Sequence, residues 1–418
     1  IQKLYNLTPE QTAPITVDIN DDAKKQAFGD ITTNAALMIA KQLGQNPRAV
    51  AQNIIENFAH PSVTRCEIAG PGFINLFLTP AAFTALATEL FNQQASFFKL
   101  GANDKKIYYN VEFVSANPTG PLHLGHGRGG ILGDVLGNIL KFIGHHVTKE
   151  FYINDAGAQI QKLGTSFKIR CQQQLGIAAE LPEDGYQGDY LVELAQHAID
   201  HHKKDIEQAL ASDNLDFFAT YAKDYLLGKL KETLSNYGIQ YDVWFSEKVL
   251  HVDGAVEAAL KFLEERNYAY VHEDALWLKS TAFGDDKDRV LKRGNGEVTY
   301  VAADVAYLQN KIARGSEKII MVLGQDHHSY VQRMKSVMQA LGHNPADIDI
   351  ILYQLVTLKE DGEELRMSKR KGRIVSLEDV TETVGADVAR FFYLNRKADA
   401  HLSFDIGLAL KKTEENPV

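Results

Sequence analysis

The fold is decided by the stretch Pro118-Thr-Gly-Pro-Leu-His-Leu-Gly-His-Gly-Arg-Gly-Gly130. A run rich in β-branched and aromatic residues, Ile107-Tyr-Tyr-Asn-Val-Glu-Phe-Val114, precedes it and predicts a strand. After the stretch, apolar residues repeat at every fourth position from Ile131 to Leu140, which predicts a helix. A second strand is predicted over residues 146–153. A strand, a glycine-rich loop, a helix and another strand make a βαβ unit and therefore a parallel sheet.

The composition excludes several classes of protein. The chain has 418 residues, 45% hydrophobic and 23% charged, so it is not a disordered chain. Lys and Arg number 44 against 54 Asp and Glu, and the net charge of −10 excludes a generic basic coat for nucleic acid, although not a local basic patch. Two cysteines, Cys66 and Cys171, exclude a disulfide framework and a Cys-rich zinc fold. No apolar run predicts a membrane-spanning helix. We expect a soluble protein of a reducing compartment, by default the cytoplasm.

Turn residues and periodicity predict the organisation of the chain. A helix is predicted from Gly29 to Leu43, where Gly44 ends it, and a polar linker over residues 102–106 marks a domain boundary. Residues 155–238 are mostly helical and charged, which predicts an insertion within the sheet domain. Further along the chain, a helix over residues 303–314, a strand over 318–323, a helix over 326–341 and a strand over 348–356 continue the α/β alternation.

The glycine-rich stretch is suited to binding phosphate. Its backbone N–H groups and the positive end of the following helix dipole would face a bound phosphate. His123 and His126 are three residues apart and could both donate hydrogen bonds to phosphate oxygens, and Gly125 would leave room for a flat ring. Taken alone, this pattern is more often an incidental turn. A zinc site is also conceivable, but no third ligand at a usual spacing supports it.

A second notable segment is Arg366-Met-Ser-Lys-Arg-Lys-Gly-Arg373, in which five of eight residues are basic. On its own it predicts only a solvated charged hairpin or a nuclear-localisation look-alike. However, the first stretch resembles the H-I-G-H signature of class I aminoacyl-tRNA synthetases, and Arg-Met-Ser-Lys-Arg resembles their K-M-S-K-S signature. Arg366 and Arg370 depart from that pattern, whereas Ser368 and Lys369 keep it. Arginine at these positions retains the charge but changes the geometry.

Several further strings resemble arginyl-tRNA synthetases in particular, over essentially the whole chain. They include Phe28-Gly-Asp-Ile-Thr-Thr-Asn34, Val111-Glu-Phe-Val-Ser-Ala-Asn-Pro-Thr-Gly120, Phe283-Gly-Asp-Asp-Lys-Asp-Arg-Val-Leu291, Thr299-Tyr-Val-Ala-Ala-Asp-Val-Ala-Tyr307 and Gly324-Gln-Asp-His-His328. The resemblance implies an ATP-dependent ligase that joins L-arginine to tRNA(Arg) through an arginyl-adenylate, releasing AMP and pyrophosphate. It also implies a requirement for Mg²⁺, a monomer, and adenylate formation that depends on the tRNA.

The resemblance also implies a domain plan. Residues 1–101 would be a small α+β N-terminal additional domain that contacts the tRNA elbow. Residues 102–345 would be a Rossmann-like (HUP-type) parallel-sheet catalytic domain with a largely helical insertion at about 160–290. Residues 346–410 would carry the second signature and contact the tRNA stem. Residues 411–418 would begin an anticodon-binding domain, most of which we expect to be missing from this chain.

Site residues follow from the same resemblance. For catalysis it implies His123, His126 and Lys369, with Lys369 acting on pyrophosphate. For ATP binding it implies His123, Gly125, His126, Gly127, Met367, Ser368 and Lys369. For arginine binding it implies Glu112, Ser115, Asn117, His123, Tyr300, Asp304 and Gln325; no metal ligand is expected.

Chemistry is consistent with the implied arginine site. A planar guanidinium needs a carboxylate fork, and the resemblance assigns that role to Asp304 and Glu112 with Tyr300 beside them. Tyr300 and Asp304 are four residues apart, so on a helix they share a face. Without the resemblance, each would be more often an ordinary core, capping or surface residue.

Two other functions stay open at this point. One is a different class I synthetase or a small adenylyltransferase; a cysteine-specific relative would need thiolate ligands, and a glutamate-specific one would place arginine in the pocket. The other is a non-catalytic, synthetase-like binding module, against which His123, His126 and Lys369 argue.

Replacing Lys369 tests the second signature. We expect Lys369→Ala to lower the rate of adenylate formation more than it lowers the affinity for arginine, because a donor to the leaving pyrophosphate acts mainly in the transition state. The measurement is the adenylation rate beside calorimetric arginine binding. Equal losses in both would contradict the assigned role.

Overall fold

The computed structural model describes residues 1–21, 27–360, 362–364, 376–414 and 416. The chain divides into two compact units, Ile1–Lys99 and Leu100–Val418. The predicted site residues Met367, Ser368 and Lys369, together with Arg366 and Arg370, lie outside the described residues. Within the described part of the chain, no helix is long and apolar enough to span a membrane.

In the described part of the first unit, four antiparallel strands form a sheet with the order β1-β2-β4-β3. The strands are β1 (Val17–Ile19), β2 (Ile31–Thr33), β3 (Val63–Ala69) and β4 (Phe73–Leu78), and the helices are α1 (Gln2–Tyr5), α2 (Pro9–Thr12), α3 (Ala35–Leu43), α4 (Pro47–Glu56) and α5 (Pro80–Gln93). Ile39 of α3 and Val50 and Ile54 of α4 pack on Ile74 of the sheet to form the core of the unit. This is the small α+β domain that the sequence predicts.

The helix predicted from Gly29 to Leu43 is wrong over its first residues. Ile31–Thr33 form strand β2, which pairs with Leu76, Asn75 and Ile74 of β4, and α3 begins only at Ala35. Three β-branched residues in a row favour a pleated strand, because their χ1 freedom is restricted against a helical turn. The predicted end of the helix is confirmed, since Gly44 is left-handed with φ 64°.

The second unit is built on a parallel sheet. Its strands are β5 (Tyr108–Phe113), β6 (His146–Ile153), β7 (Val243–Ser246), β8 (Ala269–His272), β9 (Ala275–Leu278), β10 (Arg289–Lys292), β11 (Lys318–Gly324), β12 (Ile348–Tyr353), β13 (Val356–Glu360), β14 (Glu363–Glu364) and β15 (Leu402–Asp405). Its helices are α6 (Leu124–Ile143), α7 (Ala158–Gln174), α8 (Tyr190–Ala211), α9 (Leu215–Asn236), α10 (Glu247–Val252), α11 (Ala255–Glu265), α12 (Tyr300–Ala313), α13 (Tyr330–Ala340), α14 (Leu377–Val384), α15 (Ala386–Leu394) and α16 (Ile406–Leu410).

Among the described residues, five of these strands run parallel in the order β12-β11-β5-β6-β7. The first strand along the chain, β5, therefore lies in the middle, and the strand order reverses between β5 and β11. This confirms the predicted Rossmann-like sheet. Ligands of such sheets bind where the strand order reverses, at the carboxyl ends of the strands.

Between β6 and β7 the chain forms three long helices, α7, α8 and α9. They pack on one another through a hydrophobic core of their own, which includes Phe167, Leu194 and Phe218. After β7, α10 and α11 lead into an antiparallel sheet of β8, β9 and β10. Both features agree with a largely helical insertion into the sheet domain.

The last part of the unit packs against α6. Strands β13 and β15 pair in parallel, with Val356 opposite Leu402. Helices α14 and α15 contribute Leu377 and Tyr393 to the core that also contains Phe113 of β5. The predicted strand over residues 348–356 is two strands, β12 and β13, with a break at Gln354 and Leu355.

Helix α6 lies unusually close to β5 because glycines face the strand. A Cβ atom on Gly133 would stand 2.2 Å from Cγ of Phe113, which is fully buried. No real Cβ contact is that short, so only glycine fits at this position. The glycine run that looks at first like a phosphate loop therefore also serves to pack the helix.

Replacing Gly133 tests this packing. We expect Gly133→Ala to lower the free energy of unfolding by about 1–3 kcal/mol, because the methyl group would overpack the Phe113 contact. The matched control is Gly228→Ala in α9, where an added Cβ meets no atom within 4 Å. That change should stabilise the protein by about 0.5–1 kcal/mol, because alanine is the better helix former. Chemical denaturation of both variants is the measurement, and equal effects would contradict the packing argument.

Candidate functional site

The candidate site is the crevice where the strand order reverses. It is bordered by the loop after β5, the end of β6, the start of α10, the start of α12 and the turn after β11. Helices α6, α12 and α13 all begin at this edge of the sheet, so their positive dipole ends point toward it. Most of the predicted site residues fall on these segments.

The loop after β5 starts with an uncommon backbone. Val114 and Ser115 both have positive φ, 66° and 43°, although neither is glycine. In this conformation the Ser115 hydroxyl donates to Oε1 of Glu112 at 3.1 Å and accepts from the N–H of Tyr152 at 3.1 Å. Strained backbone of this kind is typical of sites where a side chain must be aimed. Here the strained backbone places the Ser115 hydroxyl against the buried carboxylate of Glu112.

His123 and His126 form a stacked pair at the start of α6. His123 is the N-cap, its Nδ1 accepts from the N–H of Gly125 at 3.1 Å, and its own N–H donates to Nδ1 of His126 at 3.2 Å. The two ring centroids are 3.6 Å apart. A ring nitrogen that accepts a hydrogen bond carries no proton, so each ring has its proton on Nε2, the nitrogen that can donate.

Burial, with repulsion from His123, lowers the pKa of His126 to about 3. His126 is therefore neutral over the physiological range. A neutral imidazole can donate one hydrogen bond from Nε2 to a phosphate oxygen, but it supplies no positive charge.

The glycines of this loop differ in what surrounds them. A Cβ on Gly125 would stand 3.0 Å from Cε1 of His123, so this glycine keeps the histidine ring in place. A Cβ on Gly127 would stand 2.6 Å from Leu377 of α14 and 3.1 Å from the hydroxyl of Tyr393. The space beside Gly127 is thus filled by protein, and only its backbone can serve the predicted ATP site.

A cluster of carboxylates lies on the other side of the crevice. Glu112 on β5 is buried, and its Oε2 accepts from Nζ of the fully buried Lys311 at 2.5 Å. Asp304 on α12 is half-buried, and its Oδ1 accepts from the hydroxyl of Tyr330 at 2.5 Å. Of the two carboxylates predicted to hold a guanidinium, Glu112 already has a cation as partner, whereas Asp304 has a neutral donor.

Asp304 is electrostatically unfavourable in its charged form. Burial raises its pKa to about 7, and repulsion from Glu112 and Glu247 adds to the effect, while the Tyr330 hydroxyl and Arg333 oppose it. A cation brought into the crevice would relieve this repulsion. The site therefore has an electrostatic preference for a positively charged ligand.

Sequence reasoning missed Glu247, Tyr152, Tyr330 and Lys311. Glu247 opens α10 directly after β7 and is buried, and burial raises its pKa, although a hydrogen bond with Tyr152 opposes the shift. No strand was predicted at β7, so the position of Glu247 could not be deduced. Lys311 could have been found, because it follows Asp304 by seven residues and lies on the same face of α12.

The remaining predicted residues surround the cluster more loosely. Tyr300 is the first residue of α12 and 70% exposed, so its ring is free to cover a ligand. Asn117 is exposed in the loop after β5, and Gln325 is half-buried in the 3-10 turn after β11. The structure thus brings Glu112, Ser115 and Asp304 together. Within the described part of the chain, no hydrogen bond or ion pair joins the side chains of Tyr300, Asn117 or Gln325 to that cluster.

Two known protein families match nearly all of the chain. Residues 87–395 match the family described as tRNA synthetases class I (R), catalytic domain. Residues 1–78 match the arginyl tRNA synthetase N terminal domain. An arginine–tRNA ligase of Desulforamulus reducens is 44% identical over 397 residues, which cover 94% of this chain and 71% of the relative. The corresponding protein of Geobacillus thermodenitrificans is 43% identical, with the same coverage.

Solved structures agree with these relatives. A structure from Campylobacter jejuni that is assigned as an arginyl-tRNA synthetase superposes with a TM-score of 0.73 and 37% identity, covering 81% of this chain and 74% of that one. The arginyl-tRNA synthetase of Thermus thermophilus superposes with a TM-score of 0.69 at 20% identity, covering 98% of this chain and 77% of that one. At that identity the second likeness supports the fold alone.

The raised pKa of Asp304 predicts how stability depends on pH. The pKa of Asp304 is about 7 in the folded protein and about 3.8 in the unfolded chain. Between pH 3.8 and pH 7, Asp304 is therefore protonated in the folded protein and ionised in the unfolded chain. The stability of the wild type relative to Asp304→Asn should therefore fall as pH rises through this window. We expect the variant to be more stable by up to about 4 kcal/mol near pH 8 and by less than about 1 kcal/mol near pH 4. Unfolding free energies at both pH values test this, and a pH-independent difference would contradict it.

Proposed function

This chain belongs to the class I arginyl-tRNA synthetases, and we propose that its arginine and ATP sites are two adjoining parts of the crevice described above. It is an arginine–tRNA ligase, which attaches L-arginine to its tRNA and uses ATP to do so. The observation that supports the proposal is the electrostatic cluster of Glu112, Glu247 and Asp304. Its segments lie at the same carboxyl edge of the parallel sheet as the histidine pair at the start of α6.

The carboxylate cluster suits the side chain of arginine. A guanidinium presents five N–H donors in a plane, and paired carboxylates match them with short, charge-assisted hydrogen bonds. Asp304 is the main partner in this proposal, since Lys311 already occupies Oε2 of Glu112. Tyr300 covers the ligand from the solvent side, and Asn117 and Gln325 receive its α-amino end.

ATP is assigned to the start of α6. The N–H groups of the first turn and the Nε2 protons of His123 and His126 would donate to the phosphates. In the first step an arginine carboxylate oxygen bonds to the α-phosphorus, and the bond from that phosphorus to the bridging oxygen breaks to release pyrophosphate. No protein base is needed, because a carboxylate attacks in its ionised form. The protein therefore works by orientation and by stabilising charge.

In the second step the 2′-hydroxyl of the terminal adenosine attacks the carbonyl carbon of the adenylate. An ester to arginine forms, the bond to the phosphate oxygen breaks, and AMP leaves. Lys369 of the second signature is assigned to the pyrophosphate in the first step; it lies outside the described residues. Its role rests on the sequence resemblance.

Magnesium is assigned no place on the protein. Within the described ranges, no group of three or more His, Cys, Asp or Glu side chains could hold a metal ion. Mg²⁺ commonly binds through substrate phosphates with few protein ligands, and that is how we expect it to accompany ATP here. No step above is routed through it.

Other parts of the proposal come from the family resemblance. The first unit, with its boundary near residue 101, would contact the tRNA elbow. Residues 346–410 would contact the tRNA stem, and residues 411–418 would begin the anticodon-binding domain. A monomeric state and a cytoplasmic location are the expectations of the same resemblance.

Calorimetric binding of L-arginine, L-lysine and L-citrulline tests the arginine site. We expect arginine to bind and both other ligands to bind at least about 10⁴-fold more weakly, because each leaves buried acceptors unpaired. Asp304→Asn should weaken arginine binding on the order of 100-fold, since it removes a charge-assisted pair. A variant with an unchanged dissociation constant would overturn the assignment of Asp304.

The matched control is Asp347→Asn. Asp347 pairs with Lys318 at 2.9 Å and lies at the amino ends of the parallel strands, opposite to the crevice. Its loss should leave arginine binding unchanged within about twofold. Equal losses in the two variants would mean that the net charge of the protein, rather than the pocket, governs binding.

A further inference from the structure

Arg128 is a fully buried arginine in the second turn of α6, two residues after His126. Its Nη1 donates to the carbonyl oxygen of Gln354 at 2.8 Å. Its Nη2 donates to the carbonyl oxygens of Lys397 and Ala400, each at 2.8 Å. One guanidinium therefore ties three points of the backbone, all more than 220 residues away in sequence, to the helix that carries the histidine pair.

This arrangement is costly and specific. Among the described residues, no carboxylate accepts a hydrogen bond from Arg128, and its Nε has no partner. Burial lowers the pKa of Arg128, and the nearby tyrosines and Asp399 only partly oppose this shift. A buried cation that is hydrogen-bonded to no carboxylate is rare unless its hydrogen bonds are needed. The burial of Arg128 is better explained by the three hydrogen bonds that it makes than by a gain in the free energy of folding.

The three carbonyls belong to two loops, of which the loop after β12 lies at the carboxyl edge of the parallel sheet. Gln354 is the first residue after β12, and Lys397 and Ala400 lie between α15 and β15. The loops are also bonded to each other, since the N–H of Gln354 donates to the carbonyl of Ala398 at 2.9 Å. Just before Gln354, the ring of Tyr353 fills the space beside Gly129, where a Cβ would come within 2.6 Å. The loop after β12 is thus held against α6 by both contacts.

The position of this loop points to ATP rather than to arginine. The carboxylate cluster is drawn from β5, α10, α12 and α13, and none of its described contacts involves the loop after β12. The part of the crevice left for a nucleoside therefore lies between the start of α6 and the end of β12. Exposed Leu355 in the loop gives this part an apolar surface.

We propose that Arg128 is a positioning residue for ATP, which sets the distance between the loop after β12 and the histidine pair on α6. The inference rests on the proposed ATP site in this crevice. Arg128 touches no substrate. It holds the Gln354 carbonyl, and with it the far wall of the nucleoside site, at a fixed place relative to His123 and His126.

The test compares Arg128→Met and Arg128→Lys by calorimetry with ATP alone and with L-arginine alone, on the full chain. We expect Arg128→Met to weaken ATP binding at least tenfold and to leave arginine binding within twofold of the wild type. Arg128→Lys keeps a donor of similar reach but not the planar fork, so it should recover part of the ATP affinity. Equal weakening for both ligands, or no change for ATP, would overturn the inference.

Arg390→Met is the matched control. Arg390 also anchors α6 to the C-terminal helices, through Asp134 at 2.7 Å and the carbonyl of Tyr237 at 3.0 Å, but away from the loop after β12. Asp134 keeps Lys149 as its partner in that variant. If the control loses ATP binding as strongly as Arg128→Met, loosening of α6 alone explains the result and the inference fails. A wild type that binds arginine but no ATP would overturn the proposed ATP site itself, and this inference with it.

Discussion

The structure of the second unit depends on one steric constraint: at three glycines of helix α6, the neighbouring side chains leave no space for a Cβ atom. Gly127 touches Leu377, Gly129 touches Tyr353 and Gly133 touches Phe113, each at distances that exclude a Cβ atom. These contacts bring β5, the end of β12 and the C-terminal helices to a single helix. Strand β5 and the end of β12 are therefore packed against the helix that starts at the histidine pair.

The two sides of the crevice differ in charge. At the start of α6, His126 is a neutral donor, whereas the opposite side holds Glu112, Glu247 and Asp304 against Lys311. The repulsion that this creates is tolerated without a ligand and is relieved by a cation. In the proposed arginine site, affinity would thus be obtained at the expense of the stability of the protein without ligand, as is common at functional sites.

Much of the fold could be predicted from local patterns, and the failures have physical causes. Periodicity and turn residues predict the strand over His146–Ile153. They also predict a helix over residues 303–314, which in the structure begins three residues earlier, at Tyr300. The break at Gln354 could not be predicted, because the apolar pattern continues through this position in the sequence. In the structure, the carbonyl of Gln354 accepts a hydrogen bond from Arg128, which lies 226 residues earlier in the chain. Asp304 is predicted as a site residue because its neighbours form a string that resembles the family. Glu247 was missed because its position depends on β7 pairing with a distant strand.

The pairing of β6 with β7 also bears on how the chain reaches this fold. Ile153 and Ser246 are neighbours in the sheet, although three long helices separate them in sequence. Closing a loop of that length as a flexible chain is slow, because the entropy is lost before the contact forms. Since α7, α8 and α9 share a core of their own, they can assemble locally and bring the two strand ends near each other. Local assembly of the three helices would shorten the loop that β6 and β7 have to close when they pair.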